Sequence, residues 1–163
     1  MQHEQALVGL GANLGDAAAT LRAALLELDA LQGCSLLRVS GLWRSAPVDA
    51  GGPDYCNAVA ELRCEHGAEE LLRRMQHIES RHGRVRPQGV RNAPRTLDLD
   101  LLCFGELRLQ LDRLTLPHPR MHERAFVLVP LAELAPECRI PGRAALSELL
   151  ALCRDQGVVR LEP

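Results

Sequence analysis

The chain contains no lysine: all nineteen basic residues among its 163 are arginine. That excludes a Walker A phosphate loop and a Schiff-base lysine, so any phosphate chemistry has to run on Arg, His and a metal ion. Aromatic residues are nearly as scarce, with Trp43, Tyr55, Phe104 and Phe126 forming the whole set. The first apolar run, Ala6 to Leu10, carries none of the stacking rings by which sheet-based RNA-binding modules hold bases. Neither sign of charge dominates, since the formal net charge is -2, and no global field drives the chain onto nucleic acid or anionic lipid. No uncharged apolar run approaches the roughly 18 residues that a membrane helix needs. The N-terminus, with Glu4 and no basic stretch ahead of an apolar run, is not read as a signal peptide. The six cysteines contain no C-x-x-C pair and are read as buried, reduced thiols of a cytoplasmic protein.

What is present suits one globular domain over residues 1–163, with 47% hydrophobic and 25% charged residues. The apolar run Ala6 to Leu10 ends in a turn-rich stretch, Gly11 to Asp16, whose Asp16 is placed to cap a helix. Leu21, Ala24, Leu25, Leu28 and Leu31 then recur at helical spacing. Leu36 to Arg44 reads as a strand, and Tyr55 to Cys64 as its antiparallel partner across the loop Ser45 to Asp54. Ala68, Leu71, Leu72, Met75 and Ile78 mark a second amphipathic helix, and an Arg-rich loop, Gly83 to Pro94, precedes a strand from Thr96 to Phe104. Beyond Glu106 the pattern predicts a short hairpin, a Pro-bounded segment around His118 to Pro136, and a last helix near Leu146 to Cys153. Strand, helix, strand, strand, helix, strand is the split βαβ order. It predicts an α+β fold with an antiparallel sheet, both helices on one face and the other face left for a ligand.

The chemistry concentrates in Arg91 to Leu102. Side chains alternate along a strand, so Asp98 and Asp100 share one face while Leu97, Leu99 and Leu101 pack on the other. Their Cα atoms lie about 6.6 Å apart, a separation from which both carboxylates reach divalent cations. Magnesium suits such a pair because it takes oxygen ligands and keeps waters and substrate phosphates in its shell. Asp is depleted in strands, and two on one face repel without a compensating cation. Arg84, Arg86, Arg91 and Arg95 stand just upstream, with guanidinium forks that match phosphate oxygens. Tyr55, Asn57 and Val59 share a face of their strand, where Asn57 offers donor and acceptor groups to an amide-like ligand edge. Tyr55 and Phe126 lie near these polar motifs, where two rings can sandwich a planar ligand. His118 and His122 have i, i+4 spacing, but Pro117 and Pro119 argue against a helical zinc site there. His118 reads instead as a donor to phosphate beside Arg120 and Arg124. A two-metal phosphotransferase, a nuclease and a noncatalytic binding module all remain compatible with the carboxylate pair.

Taken with their neighbours, these motifs resemble the 6-hydroxymethyl-7,8-dihydropterin pyrophosphokinase family of folate biosynthesis. The resemblance runs from Val8-Gly9-Leu10-Gly11-Ala12-Asn13-Leu14-Gly15-Asp16, through Pro53-Asp54-Tyr55-Cys56-Asn57-Ala58 and the pair Gln76 and Glu79, to Pro136. Its most specific parts are Pro94-Arg95-Thr96-Leu97-Asp98-Leu99-Asp100-Leu101-Leu102 and Leu116-Pro117-His118-Pro119-Arg120 with Arg124 and Phe126. It implies a ferredoxin-like α+β domain, acting as a monomer, that moves the terminal diphosphate of ATP to a pterin hydroxymethyl oxygen and releases AMP. By resemblance, Asp98 and Asp100 hold two magnesium ions, and Arg84 and Arg95 act on the transferring phosphates. Ser45, Pro47, Val48, Tyr55, Asn57 and Phe126 hold the pterin. Leu72, Gln76, Arg86, Leu101, Thr115, His118 and Arg124 hold ATP, and Glu79 supports that wall. Asn92 stands where many members carry a loop Trp, and Pro119 where some carry Tyr.

Overall fold

A computed structural model describes residues 3–47, 52–83 and 96–161. The first strand, β1 (Glu4–Ala12), runs two residues beyond the apolar run that ends at Leu10, into the stretch expected as a turn. Its Ala6, Val8, Leu10 and Ala12 side chains enter one core cluster, whereas Leu7 enters another on the opposite face. Helix α1 (Ala17–Asp29) starts where Asp16 accepts a hydrogen bond from the Ala19 amide at 3.1 Å, satisfying one of the orphan donors of the first turn. Leu21, Ala24 and Leu28 form its buried stripe. The chain returns as β2 (Cys34–Val39) and β3 (Trp43–Ser45), both pairing antiparallel with the long strand β4 (Tyr55–Cys64).

The single strand expected over Leu36 to Arg44 is therefore two. The Ser40 side chain explains the break, because its hydroxyl accepts the Val59 amide at 3.0 Å and donates to Gly41 O at 2.8 Å. The hydroxyl takes over one ladder bond, while the Ser40 amide keeps the other, donating to Val59 O at 2.9 Å. Helix α2 (Ala68–Arg81) buries Leu71, Met75 and Ile78 against the same face as α1, and β5 (Asp98–Phe104) closes the sheet edge beside β1. The strand order is β5-β1-β4 followed by β2 and β3 along one edge of β4, which is the expected split βαβ topology.

The second face of the sheet is not left open along its length. After a hairpin of β6 (Leu109–Leu111) and β7 (Leu114–Leu116) and a 3-10 turn at Met121–Glu123, the segment expected only as Pro-bounded forms helix α3 (Ala125–Leu134). Its hydrophobic residues fall almost all round the helix, so no polar stripe signals the period, and Pro130 sits inside it. Helix α4 (Leu146–Leu152) and a short strand β8 (Val158–Arg160), which pairs with β3, complete this layer. Together α3 and α4 cover Leu7, Val59, Leu102 and Cys103 in a second core. Among the described residues, the ligand face survives where β1 presents Gly9 and Gly11 instead of larger side chains. No helix among the described residues is long and apolar enough to cross a membrane.

Candidate active site

The strand registers place the polar motifs in rows across the sheet. Gly11 on β1 is opposite Asn57 on β4 and opposite Asp98 on β5, and Gly9 is likewise opposite Val59 and Asp100. Asn57, Gly11 and Asp98 thus form one row spanning two strand spacings, about 10 Å at roughly 4.8 Å per spacing. Gly11 is the low point of that row: a Cβ there would make only ordinary contacts, 3.5 Å from Asn57 Oδ1 and 3.8 Å from Tyr55 Cδ1, but would rise from the cavity floor. The alternation expected for β5 holds, with Leu97, Leu99 and Leu101 buried against the helices and both aspartates facing the cavity. A bulge opposite Leu7/Val8 shifts the register beyond Leu101, so Leu102 and Cys103 both enter the second core and Phe104 turns toward the helices.

Over these rows lies a cavity of about 650 Å³. Its walls bring together Ser45, Pro47, Tyr55, Asn57, Asp98, Asp100, Arg124 and Phe126. The Asn57 Nδ2 group donates to Ser45 Oγ at 2.8 Å, and the side chain is almost wholly buried. With its amide nitrogen held by β3, Asn57 Oδ1 is left toward Gly11 as an acceptor for a ligand N–H. The Arg124 guanidinium lies 5.5 Å from the Phe126 ring centroid, a cation–π contact, and faces Asp98 and Asp100 electrostatically. Burial lowers the Arg124 pKa from its ordinary value, while both aspartates favour its charge.

His118 stands beside this cavity rather than in its wall. Burial pushes its pKa down to about 4, helped by Arg124 and Arg120 and opposed by Asp98. The ring is neutral at physiological pH, and its Nδ1 accepts the Arg120 amide at 3.2 Å. The proton of that neutral ring therefore sits on Nε2, which is available as a donor. Leu72, Thr115 and the exposed Gln76 also lie outside the cavity wall, and Leu101 turns its side chain into the core. What Leu101 offers at the sheet edge is backbone: the Leu99 amide points outward from β5 and bonds Glu79 Oε2 at 2.8 Å, and strand alternation turns Leu101 the same way. Glu79 is buried and so anchors α2 to the carboxylate-bearing strand. Val48, Arg84, Arg86, Arg91, Asn92 and Arg95 lie outside the described residues.

Several wall residues escape sequence reasoning. Gln156, Gly157 and Val158 come from the C-terminal segment and line the cavity. Gln156 clamps the start of α3, accepting the Ala125 amide at 2.9 Å and donating to Glu123 O at 2.8 Å, so it brackets Arg124. Glu133 fastens the same wall from the other side, accepting from the Gly41 amide, Trp43 Nε1 and Arg160 Nε. No local pattern announces these roles, which exist only once the C-terminal segment returns to the sheet. The glycine alternation Gly9-x-Gly11 was a readable signal, but only with the register to Asp98 in hand.

Asp98 and Asp100 fit a divalent ion of the magnesium type. They are two carboxylates on one face, and no third His, Cys, Asp or Glu among the described residues completes a protein-only metal cluster. That donor count suits an ion that draws its remaining ligands from water and phosphate.

An α+β sheet with paired carboxylates, a half-buried arginine and an amide-edged slot on one face has the elements of a two-metal phosphotransferase site. Comparison with known proteins specifies the kind. Residues 7–136 match the family model of 7,8-dihydro-6-hydroxymethylpterin-pyrophosphokinase (HPPK). The 2-amino-4-hydroxy-6-hydroxymethyldihydropteridine pyrophosphokinase of Pseudomonas aeruginosa is 45% identical over 97% of each chain. That of Haemophilus influenzae is 39% identical over 97% of this chain and 98% of its own. The fold matches a crystal structure of Plasmodium falciparum HPPK-DHPS with pteroate, at a TM-score of 0.72 and 12% identity. The match covers 92% of this chain but 42% of that longer one. The chain belongs to the 7,8-dihydro-6-hydroxymethylpterin-pyrophosphokinase family and is an enzyme.

Proposed function

We propose that the cavity over Gly11 is where this chain carries out its family's reaction, transferring diphosphate from ATP to 6-hydroxymethyl-7,8-dihydropterin to give the pterin diphosphate and AMP. The observation that carries this reading is the row Asn57, Gly11, Asp98. Its span of about 10 Å accommodates a bicyclic ring whose amide edge meets Asn57 and whose hydroxymethyl arm reaches the carboxylates. The flat ring lies over Gly11 between Tyr55 and Phe126, and Asn57 Oδ1 accepts one of its edge N–H groups. Ser45 fixes the Asn57 amide and Pro47 closes the rim, while Val48 is assigned to the pterin by the family resemblance alone.

In the transfer, a bond forms between the hydroxymethyl oxygen and the β-phosphorus of ATP. The bond from that phosphorus to the α,β-bridging oxygen breaks, AMP leaves, and the hydroxyl proton passes to solvent. The protein's task is alignment and charge neutralisation, with no covalent intermediate required. Asp98 and Asp100 would hold two magnesium ions, which supply Lewis-acid neutralisation of the phosphates when bound. Arg124, held by its stack on Phe126 and by the Gln156 clamp, presents its charge to the phosphates. His118 donates from Nε2 as a neutral group, so it orients a phosphate oxygen without depending on pH near neutrality. Arg84, Arg86 and Arg95 supply further cationic contacts. The ATP base lies along the outer edge of β5, where Leu101 backbone groups, Leu72, Gln76 and Thr115 are available. The enzyme acts as a monomer, one domain over residues 1–163, in the cytoplasm.

Phosphorus NMR of ATP, hydroxymethyl-dihydropterin and magnesium with the enzyme tests the reaction. AMP and a pterin diphosphate appear together if the reading is right, whereas ADP as the nucleotide product overturns it.

A further inference from the structure

At the end of the sheet remote from the cavity, Cys34 on β2 and Cys64 on β4 are directly paired across the antiparallel ladder. Their Sγ atoms are 3.2 Å apart, and His66 Nε2 lies 3.3 Å from Cys34 Sγ. The neighbouring pair, Gly33 and Glu65, is hydrogen-bonded through the Glu65 amide at 2.9 Å. Cys34 and Cys64 therefore occupy a non-hydrogen-bonded position, where side chains approach closest and the Cα separation, about 4.5 Å, falls within disulfide range. Cys34 is partly exposed and Cys64 fully buried. All six cysteines are free thiols, and four of them are buried as expected; Cys34 and Cys138 are the partly exposed pair.

We propose that Cys34 and Cys64 form a peroxide-reactive dithiol site, with Cys34 as the nucleophile, Cys64 as the resolving thiol and His66 as the group that keeps Cys34 reactive. In the first step the Cys34 thiolate attacks one oxygen of a hydroperoxide. The O–O bond breaks, the sulfur loses two electrons to give a sulfenic acid, and the other oxygen leaves with a proton as water or alcohol. The Cys64 thiol then attacks Cys34 sulfur, an S–S bond forms and the Cys34 S–O bond breaks, and the sulfenic oxygen leaves as water with the proton that Cys64 gives up. A low-molecular-weight thiol restores both cysteines by exchange.

The surroundings favour this division of labour. The hydrogen bond from Cys64 pulls the Cys34 thiol down from its ordinary range; burial opposes it, and His66 and Arg74 add to it. The same bond, together with burial, holds Cys64 up as the protonated partner. Other charged groups at this end are Glu4, opposite Cys64 on β1, Arg63, opposite Ser35, Glu65, Glu70, which pairs with Arg74 at 3.8 Å, and His3, which lies 4.0 Å from Glu65. His66 packs on Gly33, whose φ of 81° is a left-handed turn and whose missing Cβ gives the ring its place: a Cβ would stand 3.3 Å from His66 Cδ2. The site is seven residues along β4 from Asn57, about 23 Å, so it is independent of the transferase pocket.

Alkylation of the reduced enzyme with iodoacetamide across pH 5–9, read by peptide mass spectrometry, tests the nucleophile. Cys34 should be the fastest of the six below neutral pH, its rate levelling off at least one pH unit below the roughly 8.5 of an ordinary thiol. His66→Gln should move that midpoint upward. Stoichiometric hydrogen peroxide should yield a Cys34–Cys64 linked peptide, reversible by dithiothreitol, and Cys64→Ser should stop oxidation at a sulfenic acid trapped by dimedone. An ordinary midpoint for Cys34, or peroxide treatment that leaves both thiols alkylatable, overturns the proposal. His66→Gln reads the nucleophile even where Cys64→Ser does not fold.

Discussion

Gly11→Ala separates stability from ligand binding by giving them opposite signs. Gly11 lies on β1 between Asn57 and Asp98, and its φ is outside the left-handed region. A Cβ there meets Asn57 Oδ1 at 3.5 Å, Tyr55 Cδ1 at 3.8 Å and Cys56 O at 4.0 Å, all ordinary contact distances. No protein atom has to move, and replacing a strand glycine stabilises by about 0.5–1 kcal/mol through lost backbone freedom in the unfolded chain. The same methyl rises from the cavity floor. A flat ring seated on that floor must lift or tilt, an overpacking cost of about 1–3 kcal/mol, which weakens pterin binding by about 5- to 150-fold. The affinity for a nonhydrolysable ATP analogue should hardly change, because the methyl does not face the outer edge of β5. Thermal melts and titration calorimetry with each ligand measure both effects. A variant that melts higher yet binds the pterin as tightly as the natural enzyme refutes the placement of the ring over Gly11.

Asn57→Ala should weaken pterin binding by about 1–3 kcal/mol, since it leaves a ligand N–H without its acceptor, while calorimetry shows ATP affinity unchanged. Gln156→Leu removes both ends of the clamp around Arg124. It should raise KM for the pterin and lower kcat with the circular dichroism spectrum intact, whereas unchanged kinetics would mean Arg124 is held without it. Because burial keeps the folded His118 pKa at about 4, below the ordinary histidine value of roughly 6.5, the unfolded chain binds the proton first. The stability this group contributes is complete above pH ~6.5 and falls as pH drops toward ~4. The ring's partial exposure limits the loss to about 1–2 kcal/mol. His118→Gln should flatten this acid limb in denaturant titrations at successive pH values, and an unchanged limb would contradict the assigned shift.

The sheet and its first two helices were legible because their period is strict. Leu71, Met75 and Ile78 spell one helix face, and the Leu-Asp alternation of residues 97–101 assigns β5 its two faces. That alternation also identified the carboxylate pair, and the shared parity of Tyr55 and Asn57 put them on the same side. Legibility failed where structure is tertiary. Helix α3 is apolar almost all round, Glu133 being its one charged side chain, because it is buried between the sheet and α4, so no amphipathic stripe marks it. The kink at Ser40 depends on a hydroxyl bonding across to Val59, which a hydrophobic pattern does not encode. Gln156 reaches the cavity from 31 residues beyond the Ala125 it binds, and a charge-neutral side chain at such a distance gives no motif. Leu101 shows the converse: its side chain is core, and its value to a nucleotide lies in its backbone at a sheet edge.

The account rests on Asp98 and Asp100 gripping the phosphates through divalent ions from the Asn57 face. Turnover of Asp98→Asn and Asp100→Asn, followed across magnesium concentrations alongside pterin binding, tests this most directly. Both variants should lose diphosphate transfer at every magnesium concentration while retaining the native circular dichroism spectrum and pterin affinity. Turnover near the natural level in both, with an unaltered magnesium dependence, would contradict it.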